Sequence, residues 1–169
     1  MPFAYYSRLT RSQQRIYRQS DEIGTISLAQ PAALHPLVEQ LAEVLKHEDR
    51  RRIEAVSQDL TSALTARFNV PPVQVEVLAA RPSKDWGEIH GLYTPAEGRR
   101  PARVTVWMRT AIHRRVVAFR TFLRTLLHEL CHHLDYKLLD LEESFHTEGF
   151  YKRESSLLHQ LMRNQLKTS

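Results

Sequence analysis

The chain has 169 residues, 42% of them hydrophobic, and Lys plus Arg exceed Asp plus Glu by 24 to 19 for a net charge of +5. That length suits one domain burying about 68–70% of its unfolded surface, and the composition excludes collagen, coiled coil and chain-wide disorder. No apolar run approaches the roughly 18 residues a membrane span needs, so no membrane partner is expected. The start, Met1-Pro2-Phe3-Ala4-Tyr5-Tyr6-Ser7-Arg8, lacks the basic and apolar regions of a secretory signal. Cys131 is the single cysteine, which excludes an intramolecular disulfide and a four-cysteine zinc site. A reducing, cytoplasmic setting is the expectation.

Residues 1–30 read as a partly ordered arm with a short helix over about 11–19, and residues 31–169 read as one domain. Pro31 and Pro36 punctuate the chain before a helical pattern begins. Leu37, Leu41, Val44 and Leu45 recur at helical spacing, as do Ile53, Val56, Leu60, Leu64 and Phe68, until Asn69-Val70-Pro71-Pro72 stops the helix. Val73, Val75 and Val77 then alternate with other residues as in a strand. Residues 81–87 read as a loop, 89–93 as a second strand and 103–108 as a third. From about Ile112 the helical period returns through Val116, Phe119, Leu123, Leu126, Leu130 and Leu134, and runs to about Leu139. A last helix covers about 148–166. Helices, a small three-stranded sheet and two more helices make an α+β domain.

Charge is unevenly spread. No acidic residue lies between 98 and 128, where Arg99, Arg100, Arg103, Arg109, Arg114, Arg115, Arg120 and Arg124 accumulate. Such a block suits either a solvated surface or contact with an anionic partner such as DNA. Only five glycines are present, and neither GxGxxG nor GxxxxGK[ST] occurs, so nucleotide loops are not expected.

One pentapeptide carries chemistry: His128-Glu129-Leu130-Cys131-His132. Two histidines four residues apart on a helix project from one face, and their nitrogens can share one Zn²⁺ at about 2.0–2.1 Å. Glu129 stands beside them, placed to act on water instead of binding metal; this is the HExxH arrangement of zinc hydrolases. A catalytic zinc usually takes a third protein ligand. Asp135 and Leu138 occupy the positions where the longer HExxHxxGxxH pattern needs glycine and histidine, so that ligand must come from downstream. His146 is the leading candidate, with Glu143, Glu148 and Glu154 as rival oxygen ligands. Cys131 reads as a small buried hydrophobe. His133 projects about 100° from His132, a poor co-ligand expected to be partly exposed. Asp135 could orient an imidazole or make only a polar helix contact. Tyr93, Tyr136 and Tyr151 are candidate oxyanion donors, and spacing selects none of them.

The HExxH segment, a 13-residue spacer and then His146-Thr147-Glu148-Gly149-Phe150 resemble the SprT-like zinc metalloproteases, the Spartan-type family. Phe150 matches an aromatic four residues after the family's third histidine, and Gly91-Leu92-Tyr93 resembles the segment before its active-site helix. The resemblance covers roughly residues 50–165. It implies a zincin-like fold, His128, His132 and His146 as zinc ligands, and Glu129 as the catalytic residue. Thr147-Glu148 replaces a Gly-Pro pair common in the family, and the C-terminal zinc ribbon of bacterial members is missing. The expected activity is zinc-dependent hydrolysis of peptide bonds, with a protein or peptide substrate lying extended along the 103–108 strand. The alternative is a zinc-stabilised module that binds nucleic acid or protein without hydrolysis.

Overall fold

The computed structural model describes residues 2–80, 91–110 and 113–166. After a 3-10 turn at Ala4–Arg8 come α1 (Arg11–Asp21), α2 (His35–Lys46), α3 (Arg50–Arg67), β1 (Val73–Leu78), β2 (Gly91–Thr94), β3 (Ala102–Trp107), α4 (Phe119–Lys137) and α5 (Glu148–Leu166). The architecture is α+β, as the change of hydrophobic period implied. The loop expected over 81–87 and the start of the second strand lie outside the described residues, as does Ile112.

Local chemistry sets the boundaries. Thr10 caps α1 in a reciprocal box with Gln13, each side chain bonding the other's backbone N–H. The single helical pattern over 37–68 is two helices. Glu48 takes a left-handed backbone (φ 56°), and Asp49 then caps α3 by accepting from the Arg52 N–H. Asn69, also left-handed at φ 54°, ends α3 ahead of the two prolines. The site helix starts seven residues later than its hydrophobic pattern suggested, at Phe119. Val116 and Val117 instead fold back beside β3: Val116 bridges Arg109, and the Val117 N–H donates to the Met108 carbonyl at 2.8 Å.

The sheet order is β1-β3-β2, parallel between β1 and β3 and antiparallel between β3 and β2. Val73, Val75 and Val77 alternate inward along β1 and meet the buried Ala102, Val104 and Val106 of β3. Leu123, Leu126, Leu127, Leu130 and Leu134 of α4 lie in the same core with Leu60 and Leu64 of α3 and Leu157 and Leu161 of α5. Each such leucine contributes about 1.5–3 kcal/mol on burial, so α4 is fixed in rotation by its apolar stripe. The opposite face of α4 is thereby committed to carry the histidines.

β3 occupies the centre of the sheet, with both edges already paired. A substrate therefore cannot add to the 103–108 strand by main-chain hydrogen bonds. Among the described strands β2 is an edge, and it is β2 that borders the histidines.

Residues 2–30 are built into this body. Tyr17 and Ser20 of α1 are fully buried, Ile26 and Leu28 enter the core, and α1 packs on α5. Among the described residues no helix is long and apolar enough to cross a membrane.

Candidate metal centre

His128 and His132 leave α4 one turn apart. His146 reaches them from the loop between α4 and α5. One nitrogen from each of the three imidazoles lies within 4.8 Å of the others. The His146 Nε2 is 3.1 Å from the His128 Nε2 and 3.0 Å from the His132 Nε2. Among the described residues this is the one such cluster of His, Cys, Asp or Glu, and none of Glu143, Glu148 and Glu154 joins it.

The surrounding chain decides which nitrogens carry protons. His128 Nδ1 donates to Glu154 Oε1 at 2.6 Å, and Arg124 donates to the other Glu154 oxygen at 3.0 Å. Ser144 gives its one hydroxyl proton to Asp135 Oδ2 at 2.7 Å, so its oxygen accepts from His132 Nδ1, also at 2.7 Å. Both Nε2 atoms are left as lone pairs aimed at one point, beside His146 Nε2. That donor set fits a cation that takes imidazole nitrogens, with carboxylate and hydroxyl partners orienting the rings from behind. Burial, reinforced by His146 and His128, holds the His132 pKa down to about 3. Burial also lowers His146, which His128 lowers further against the pull of Glu154. Both rings are held toward the neutral form that ligates metal.

Glu129 faces the same space from the next position on α4. Burial pushes its carboxyl up to about 7, opposed by His128 and reinforced by Glu154. Gly91 of β2 presses directly on it. A Cβ at Gly91 would lie 2.9 Å from Glu129 Cγ, 2.9 Å from Thr125 Cγ2 and 3.2 Å from Glu129 Oε1. A cleft of about 630 Å³ opens over His128, Glu129 and His146, walled by Gly91 and Leu92 on one side and by Arg124, Tyr151 and Glu154 on the other.

The remaining sequence candidates fall into place. Glu154 holds a histidine from behind, Glu148 pairs with Lys152 at 3.3 Å, and Glu143 keeps a buried oxygen with no bonding partner. Cys131 is fully buried with its thiol pKa pushed up by that burial, the state of a packed hydrophobe. His133 is not partly exposed but fully buried. Its Nε2 meets the Pro71 carbonyl at 2.8 Å, so the Tyr93 hydroxyl donates to its Nδ1 at 2.8 Å. Tyr93 is thus committed away from the cleft, and Tyr136 stacks behind it at 6.2 Å. Of the three tyrosines only Tyr151 lines the cleft, its ring 5.8 Å from that of His146 and 6.1 Å from that of His128.

Sequence reasoning passed over Gly91 as a spacer against Glu129, Ser144 as the link from Asp135 to His132, and Arg153 beneath them. Arg153 is fully buried and donates to Asp135 Oδ1 at 3.0 Å. In the basic block, Arg103, Arg109 and Arg124 pair with Glu76, Glu48 and Glu154, so acids from elsewhere in the chain offset part of its charge. No family model matches the chain, and neither a curated protein nor a solved structure matches it.

Proposed function

We propose that the chain is a zinc-dependent metallopeptidase of SprT-like type, hydrolysing peptide bonds of protein substrates. The observation that carries this reading is the convergence of the His128, His132 and His146 nitrogens beside the buried Glu129 at the floor of an open cleft. When bound by the three imidazoles, zinc supplies Lewis-acid activation of the attacking water and of the scissile carbonyl.

The chain's own groups do the rest. Glu129 takes a proton from the attacking water as the new C–O bond forms, and delivers it to the leaving nitrogen as the C–N bond breaks. Burial raises its pKa to about 7 in the metal-free protein, above that of a solvated carboxyl. The Tyr151 phenol, raised by burial and by Glu154, stays protonated and is the tyrosine hydroxyl on the cleft wall that can donate to the developing oxyanion. An edge among the described strands, β2 offers main-chain groups to an extended peptide, which would pass Leu92 and lie across the histidines. Leu92 is 50% exposed and Tyr151 41%, so the walls favour apolar substrate side chains.

Zinc-loaded wild type should cleave an unstructured protein such as casein, and Glu129→Gln should retain its zinc while losing at least about 100-fold in turnover. Equal cleavage by the two proteins at equal zinc content would overturn the mechanism. Salt-dependent DNA binding without any hydrolysis would support the non-catalytic alternative instead.

A further inference from the structure

His146 sits in the connection between α4 and α5, where no helix or strand fixes its backbone. Residues 5–21 do so. The Tyr5 hydroxyl donates to the His146 carbonyl at 2.7 Å. Tyr17 packs its ring 6.3 Å from that of Phe145, and Ser20 shares a 3.1 Å hydrogen bond with the Thr147 hydroxyl. The Gly149 N–H donates to Asp21 Oδ1 at 3.0 Å. Residues 145, 146, 147 and 149 are each held by a side chain from positions 5–21.

The close approach is built into the backbone. A Cβ at Gly149 would lie 2.5 Å from the Ser20 carbonyl oxygen and 2.6 Å from that of Asp21, so only glycine lets the end of α1 sit against the start of α5. Tyr5 is held in turn, its ring edge-on to Tyr17 at 5.6 Å, while the Phe3 N–H donates to the Tyr17 hydroxyl at 2.9 Å. The Phe3 ring also meets Tyr151 on the cleft wall at 6.2 Å. One short segment therefore touches both the third histidine's loop and the tyrosine beside it.

We propose that Tyr5 is a positioning residue for His146, and that Tyr5, Tyr17, Ser20 and Asp21 together form a working part of the metal centre that holds its third histidine in place. A histidine on an unsupported loop must be ordered each time metal binds, whereas a fastened one is ordered beforehand.

The proposal takes its metal readout from the three-histidine reading, and its second readout is independent of that reading. In the wild-type chain, Tyr5→Phe and Tyr6→Phe, zinc release to a chelator is timed, and amide exchange at Thr147 and Gly149 is followed in the metal-free proteins. Tyr5→Phe should release zinc about three- to tenfold faster, the worth of one hydrogen bond, and should speed exchange at both amides. Tyr6→Phe keeps the ring that packs on Tyr17 and should match wild type. Unchanged exchange at Thr147 and Gly149 in Tyr5→Phe overturns the proposal, whatever the zinc result. Absence of zinc binding by wild type overturns the metal reading alone, and exchange still decides the role of Tyr5.

Discussion

Arg153 and Asp135 form an ion pair at 3.0 Å in which neither side chain is exposed to solvent. It joins α5 to α4 directly beneath the histidines. Arg153 also donates to the Ser20 and Ile23 carbonyls, each at 2.6 Å, and so ties the end of α1 to the same point. Removing one partner of a buried pair costs more than the pair contributes, because the other charge is left without compensation. Arg153→Met should therefore lower stability by about 3–5 kcal/mol, read from denaturant unfolding. A loss below about 1 kcal/mol would mean that the pair is not buried in solution.

Glu154 fixes His128 from behind at 2.6 Å. Glu154→Gln keeps the shape and loses the charge that orders the ring. Zinc affinity should fall about 10–100-fold in a chelator competition, the usual cost of losing such a partner. An unchanged affinity would show that the imidazole needs no orienting carboxylate.

Gly91→Ala tests the contact between β2 and Glu129. The new Cβ would meet two side-chain atoms at 2.9 Å, so the fold can yield by moving Glu129 and Thr125. Bound zinc and melting temperature should stay near wild type, while kcat falls by about 10–100-fold through misplacement of the carboxylate. Retention of full kcat would separate Glu129 from the chemistry.

Much of this site can be read in the sequence because its parts are local. Helical spacing places His128, Glu129 and His132 on one face, and the leucine stripe opposite fixes which face that is. The need for a third ligand makes His146 the leading candidate beside Glu143, Glu148 and Glu154, and the fold brings His146 alone of these to the pair. What escapes the sequence is set by distant pairing. Strand period does not reveal strand order, so β3 looks as available to a peptide as β2. Helix period shows that His133 diverges from His132, yet its burial comes from Tyr93 and Pro71, brought from other elements. Glu154 has a ligand's chemistry, and only the packing of α5 on α4 turns it into a partner for Nδ1. Tyr17 and Ser20 lie on a largely polar helix, and nothing local says which element covers its buried face, so their packing against the His146 loop is set by distant residues.

The raised carboxyl of Glu129 gives a pH test in metal-free protein. Its folded value of about 7 exceeds the ordinary 4.5, so folding favours its neutral form. Its stabilising contribution is complete below about pH 4.5 and is lost as pH rises through about 7. Glu129→Gln has no such charge to bury. In a chelator, its melting temperature should exceed that of wild type by about 3 °C or more at pH 8, and the difference should nearly vanish below pH 4.5. A difference that does not vary with pH would contradict the burial of Glu129.

The central claim is that His128, His132 and His146 together hold zinc. Its most direct test is bound zinc per chain in purified wild type and in His146→Ala, after equilibration with equal added metal and removal of the excess. The account predicts about one zinc per wild-type chain and a clear loss in the variant. No zinc in wild type, or full retention in His146→Ala, would contradict it.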